Sequence, residues 1–185
     1  MAAQHATVDQ HADKLASLID PAKLATLGKR GANSRVQKAV AILAEAESEK
    51  LDAGAVCAAA IETVRMQPAA GALTKAALLR NLDIASKLGC LDDTGLDKMR
   101  HGRAPTIQRG PYRGDELSVD PIIPRAVVPE LDNMIANLEL MPLRMNESKN
   151  AKVGERQLAP AEKFRAVGLL SRKWLQKVKR AAQKP

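Results

Sequence analysis

Aromatic side chains are nearly missing from this chain: one Trp, one Tyr and one Phe serve 185 residues. With 45% of the residues hydrophobic, a real core is expected, but alanine and leucine must do most of the packing. Those residues favour helices over sheets. Cysteine is scarce as well. Cys57 and Cys90 lie far apart with no Cys-x-x-Cys neighbour, which excludes a zinc held by four cysteines; in apolar helical surroundings they read as small buried hydrophobes. No stretch of about 18 apolar residues is present to cross a bilayer, and Met1 does not open a basic, apolar, small-residue leader. A soluble, cytoplasmic protein with no membrane partner is expected. Repeats and low-complexity tracts are absent, and the length suits one ordinary domain or a small domain with a helical extension.

Positive charge is plentiful but unevenly placed. The formal net charge is +8, yet residues 144–185 hold 12 Lys and Arg against 3 Glu. The excess therefore begins late in the chain and runs to its end, a distribution that calls for a polyanion. A basic solvated tail is the plainer alternative.

From the start, residues 1–8 are expected to fray, with a helix over 8–19. Asp20 and Pro21 supply an N-cap and first turn for a short second helix ending at Gly28, and Lys29, Arg30 and Gly31 form a basic turn. Apolar spacing at Val36, Val40 and Leu43 predicts a helix over 33–50 capped by Asn33. Asp52 caps the next, to about Met66, and Pro68 opens another that ends at Gly89. A last turn of helix falls near 94–100. His5 and His11 are expected to be solvated. Residues 101–114, HGRAPTIQRGPYRG, form the candidate boundary, and Arg103, Arg109 and Arg113 beside Tyr112 could touch a phosphate backbone.

The stretch from Gly114 to Lys152 carries the most specific pattern. It reads as a short strand over 116–119, a loop with three prolines, a second strand over 137–141, and a helix bearing Asn146, Lys149 and Lys152. Gly154 ends that helix, and Pro160 marks the start of a final one. There Phe164, Val167, Leu170, Trp174 and Val178 make an apolar stripe among lysines and arginines. Such a stripe is more often core than recognition surface, so Phe164 and Trp174 should face the body and leave a cationic face outside. A basic amphipathic helix can also lie on a membrane or meet an acidic partner.

The residues Asp120, Pro121, Ile122, Ile123 and Pro124, then Asn137-Leu138, then Asn146 with Lys149, resemble the HNH nucleases, or ββα-metal family. In that pattern the first strand ends in Asp-His-Ile-x-Pro, an Asn-Leu pair opens the second strand, and a His or Asn sits on the helix. The departure is Pro121, which stands where the family has its general-base His. The resemblance, set beside the helical segments and the boundary read from composition and spacing, gives a mainly α chain with four parts. These are an Ala-rich helical region over 1–100, a Gly/Pro/Arg-rich linker over 101–114, an HNH-like ββα-metal unit over 115–154, and a basic C-terminal helix over 155–185.

It also implies metal-dependent hydrolysis of DNA. Asp120 and Asn146 would hold Mg²⁺ or Mn²⁺, hard cations suited to a carboxylate and an amide oxygen completed by water. Asn137 would fix the loop that presents position 121. Arg113, Arg125, Arg144, Lys149 and Lys152 would steady the nucleic-acid backbone. DNA is the implied partner and no small-molecule substrate is implied. Proline has no titratable group, and loss of a positioned base costs about 10²- to 10⁴-fold in rate, so cleavage should be impaired or absent. The alternative is a non-catalytic nucleic-acid-binding or scaffold protein that retains the fold. His101 is a possible substitute base, but no spacing places it beside Asp120.

Overall fold

The computed structural model describes residues 2–148 and 153–184. The architecture is mainly helical, with one small antiparallel sheet. Six helices come first: α1 (Ala2–Ile19), α2 (Pro21–Leu24), α3 (Asn33–Ser48), α4 (Ala53–Thr63), α5 (Pro68–Lys87) and α6 (Asp93–Arg100). Then come β1 (Leu117–Pro121), β2 (Leu138–Pro142), α7 (Leu143–Ser148), α8 (Glu155–Ala166) and α9 (Arg172–Ala182).

Helix starts follow local chemistry. The carboxylates of Asp20, Asp52 and Asp92 accept from the amides of Ala22, Gly54 and Gly95 at 2.9, 3.0 and 2.8 Å, satisfying donors that the first turn leaves open. Pro21 and Pro68 sit in first turns, where no donor is lost. Between α4 and α5 the contact is close enough that a Cβ on Gly71 would lie 2.6 Å from Cγ2 of Ile61.

Four expectations about the N-terminal helices change: the first helix begins at Ala2 and not near Val8, the second ends at Leu24 and not Gly28, and Asn33 and His11 take other places. Asn33 does not cap α3; Ala32 holds the N-cap position without a side-chain bond, and the Asn33 amide donates to the Val119 carbonyl at 3.3 Å. His11 is buried, not solvated, with Nε2 3.0 Å from Oε2 of Glu49. α1 extends back to Ala2, and positions 11, 15 and 19 fall on one helical stripe, so His11 is covered along with Leu15 and Ile19.

Residues 101–114 are seated on the body. The amides of Gln108 and Arg109 donate to the Leu88 carbonyl at 2.9 and 3.2 Å, and the amide of Leu117 donates to the Pro105 carbonyl at 2.9 Å. Ile107 is fully buried. The chain therefore enters β1 already anchored.

β1 and β2 pair antiparallel, with Val119 opposite Leu140, Asp120 opposite Glu139 and Pro121 opposite Leu138. Side chains alternate across a sheet, so Leu117, Val119, Leu138 and Leu140 share one face. All four are buried in the same cluster as Leu15, Leu43, Leu78 and Leu82 of the helices. The opposite face carries Ser118, Asp120, Glu139 and Met141.

A two-stranded sheet has two open edges whose backbone groups need partners, and here helices supply them. Asn81 of α5 is fully buried. Its amide nitrogen donates to the Leu138 carbonyl at 3.0 Å, and its oxygen accepts from the Leu140 amide at 2.9 Å. On the other edge Gln37 of α3 donates to the Leu117 carbonyl at 2.9 Å.

A second core forms where the loop between the strands meets the C-terminal helices. Ile123, Val128, Leu131, Phe164, Leu170 and Val178 are its buried centre. The final helix expected from Pro160 is two helices. α8 starts earlier, at Glu155, because the Gly154 amide donates to Oε1 of Gln157 at 2.8 Å, and Pro160 lies inside it. The break follows at Gly168, whose φ of 78° is a left-handed conformation suited to glycine. Ser171 then caps α9 through the Trp174 amide at 3.3 Å. One straight helix could not bring both Phe164 and Val178 onto the loop; a hairpin of two does.

Candidate functional site

A cavity of about 500 Å³ opens where β1 ends, lined by Asp120, Pro121, Arg125, Asn146 and Glu147 among others. Asp120 reaches it from β1, which continues through Pro121 by pairing with Leu138. Asn146 reaches it from α7, which follows β2 directly. The Asn146 amide nitrogen donates to Oγ of Ser118 at 3.2 Å, and the Ser118 hydroxyl donates to the Met141 carbonyl at 3.0 Å. With its nitrogen committed to the sheet, Asn146 keeps its carbonyl oxygen as the acceptor end.

Asn137 is fully buried at the foot of the loop. Its oxygen accepts from the Ile123 amide at 2.9 Å, and its nitrogen donates to the carbonyls of Ile123 and Leu131 at 3.1 and 3.2 Å. Its own carbonyl accepts from the Ile122 amide at 2.7 Å. Three of these bonds hold the chain just after Pro121, and the fourth ties in Leu131 farther along the loop. A short apolar side chain here would strand several buried polar groups.

Arg125 projects from the loop, with Nε 3.5 Å from Oδ2 of Asp132. That carboxylate, largely buried, also accepts from the Arg30 amide at 2.9 Å. Asp132 is thus a structural anion, committed to two neighbours. Lys29, Arg30 and Gln157 line the cavity too. None of these three, nor Asp132 or Glu147, is singled out for this site by sequence reading. The basic turn at Lys29 is visible in the sequence, but nothing in its spacing says what it faces.

Other residues expected to serve the site lie elsewhere. Arg144 opens α7 and is held at the opposite end of β1: its amide donates to Oδ2 of Asp115 at 2.9 Å, and its guanidinium lies 3.5 Å from that oxygen. The group also sits 5.9 Å from the centre of the Tyr112 ring. The Arg144 amide bond is the chief cause that lowers the Asp115 pKa, helped by the Glu116 amide and the Arg144 charge. Arg113 is exposed in the turn before β1 and does not line the cavity. Lys149 and Lys152 fall outside the described residues. His101 does not line the cavity either; Nδ1 lies 2.8 Å from the Asp97 carbonyl within the end of α6.

Both cysteines are buried and unpaired. Loss of hydration pushes the Cys57 thiol up to about 12 and the Cys90 thiol up to about 11, so neither is a ready thiolate. Among the described residues no three His, Cys, Asp or Glu side chains gather as a metal-binding group. The oxygen donors lining the cavity are the carboxylates of Asp120, Asp132 and Glu147 and the amides of Asn146 and Gln157, with Asp132 already bonded to the Arg30 amide and facing Arg125. Such a set suits a hard cation that keeps much of its water, as Mg²⁺ does, and is poor for zinc. Among the described residues no helix is long and apolar enough to cross a membrane.

Compared with protein-family models, with curated proteins and with solved structures, the chain matches none.

Proposed function

We propose that this chain is a nucleic-acid-binding protein of the HNH, or ββα-metal, type. Its cavity holds a divalent cation against a phosphodiester, and its cleavage of DNA is impaired because Pro121 occupies the position of the general base. One observation carries the reading. Asp120 and Asn146, 26 positions apart in the sequence, line the same cavity as Pro121 and Arg125, Asp120 from the first strand and Asn146 from the helix that follows the second.

Each residue has a role that its surroundings support. Asp120 and the oxygen of Asn146 would hold Mg²⁺ or Mn²⁺. The cation would supply Lewis-acid stabilisation of charge at the phosphate. Asn137 keeps the loop after Pro121 in place through its buried bonds. Arg125, partly committed to Asp132, meets the phosphate. Pro121 can neither take nor give a proton, so water at that position goes unactivated.

Restoring the base tests the reading. Pro121→His should give Mg²⁺- or Mn²⁺-dependent nicking of supercoiled plasmid, at least about 10²-fold above the parent chain. Asn146→Ala should weaken Mn²⁺ binding in calorimetry and abolish the restored cutting. The scaffold reading is favoured by Pro121 itself. It wins if Pro121→His stays inert with every divalent metal tried while binding DNA as the parent does. Absence of DNA binding by the parent would sink both.

A further inference from the structure

The turn Lys29–Arg30, in the N-terminal helical region, lines the cavity with Asp120 and Arg125. It is held there by a dedicated clasp. The Arg30 amide donates to Oδ2 of Asp132 at 2.9 Å across 102 positions of sequence, and the Ala32 amide donates to Oδ1 of Asn133 at 3.0 Å. In return the Asn133 amide nitrogen donates to the carbonyls of Leu27 and Gly28 at 3.1 and 2.9 Å. Two adjacent side chains of one loop thus fix the backbone on both sides of the turn.

Arg30 itself adopts φ 57°, a left-handed conformation that costs any residue with a Cβ. Glycine would take it without strain, and glycines stand nearby at 28 and 31. The position nonetheless carries an arginine; Lys50 and Arg65 adopt the same conformation away from the cavity, so what marks Arg30 is its place beside Asp120 and Arg125 and not its φ alone. Among the described residues neither Lys29 nor the Arg30 guanidinium is in an ion pair. Arg125, by contrast, already faces Asp132. Two basic residues thus line the cavity with no ion pair of their own among the described residues.

We propose that Lys29 and Arg30 are the backbone-binding wall of the cavity, taking the phosphates of a DNA strand that flank the one facing Asp120 and Asn146. The inference rests on the nucleic-acid reading above and adds to it residues from a different part of the chain. Phosphate contacts of this kind set affinity and register without reading bases. The Asp132–Asn133 clasp is the positioning element, because it ties the turn to the loop that also bears Arg125.

The test is binding of a fluorescein-labelled duplex, followed by anisotropy from low to moderate salt, with the full chain. Each phosphate contact contributes about 0.9 to the slope of log K against log salt. Lys29→Gln with Arg30→Gly should therefore weaken binding about tenfold or more at low salt and flatten the slope by about 1.8. Arg30→Gly alone should keep or raise the melting temperature, since it relieves φ strain, while losing about half the slope change. Arg30→Lys should restore the slope. If the parent binds DNA and the double variant leaves affinity and slope unchanged, the turn is not a phosphate wall although the cavity reading stands. If the parent binds no DNA, both fall together.

Discussion

The molecule has two cores, and they restrain the cavity in different ways. The larger one joins α1, α3, α4 and α5 to the buried face of the sheet, through Leu15, Leu43, Leu78, Leu138 and Leu140. Buried amides of Gln37 and Asn81 reinforce it by bonding the strand edges directly. The smaller one seats the loop between the strands under the hairpin of α8 and α9, around Ile123, Leu131, Phe164 and Leu170. Asp120 rides on the first core and Arg125 on the loop over the second. A site at such a seam gains one wall fixed by sheet register and another fixed by apolar packing together with the bonds of Asn137 and of Glu130 with Trp174. The clasp from Asp132 and Asn133 to the Lys29–Arg30 turn then ties the two walls together.

The sharpest way to break this comparison is to damage the smaller core. Phe164→Ala should cost about 3–5 kcal/mol, measured by urea unfolding. Hydrogen exchange should accelerate in α8, α9 and the loop over 123–131 while α3 and α5 keep their protection. Equal loss of protection in α3 and α5 would show that the two cores unfold as one unit.

Next in size is Asn81→Leu. It removes both partners of the β2 edge and leaves a buried carbonyl and a buried amide unsatisfied, at about 1–3 kcal/mol each. A total near 3 kcal/mol is expected, with exchange at Leu140 rising at least as much as global unfolding allows. Asn81→Asp keeps an acceptor for the Leu140 amide but sets a buried carboxylate against the Leu138 carbonyl, so at neutral pH it should cost at least as much as Asn81→Leu. A change below about 0.5 kcal/mol for Asn81→Leu would mean that water replaces the amide and the edge is not sealed.

Trp174→Phe should cost about 1 kcal/mol. It removes the bond from Nε1 to Oε1 of Glu130 at 2.6 Å, which pins α9 to the loop, and it perturbs the ring that Lys177 approaches at 4.8 Å. The same loss should appear in Glu130→Ala, which removes the acceptor, with strong non-additivity in the double variant. Full additivity would detach this contact from the smaller core's stability.

The smallest effect is a matter of pH. The Asp115 carboxyl is held below its ordinary value, chiefly by the Arg144 amide. Its contribution is therefore complete above the unfolded carboxylate range and is lost as pH falls through its lower folded value. The Arg144 amide resonance should follow that titration and α7 should loosen at its start in acid. A shift that tracks an unperturbed carboxylate would remove the bond.

Much of the helical frame was legible along the chain. Asp20, Asp52, Pro21, Pro68 and Gly89 mark helix ends by local stereochemistry, and local stereochemistry needs no tertiary information. The order strand, strand, helix was legible for the same reason, whereas the pairing of Asp120 with Asn146 is what the resemblance implied and not something short-range spacing shows. Where local signals competed, reading failed. Asn33 looked like a cap because its side chain can serve one, but the Val119 carbonyl lay within reach. Pro160 looked like a start because proline is tolerated there, while Gly154 and Gln157 had already begun the helix. His11 looked solvated from its place near the terminus, although its spacing from Leu15 and Ile19 gave the contrary signal. Asn81 carried a signal of its own, a polar residue on a buried stripe between Ala77 and Ala85.

The sequence by itself determined the mainly helical class, the helix ends that aspartates and prolines mark, and the late onset of positive charge. Each depends on residues a turn or two apart, where covalent geometry limits the choices. Only the tertiary structure decided that Lys29 and Arg30 border the same cavity as Asp120, that amides from α3 and α5 seal the sheet, and that the tail folds into a hairpin over the loop. Those are contacts between groups as much as 106 positions apart. They exist because buried backbone groups must find partners and apolar faces must be covered, demands that the folded chain meets with whatever lies nearest in space.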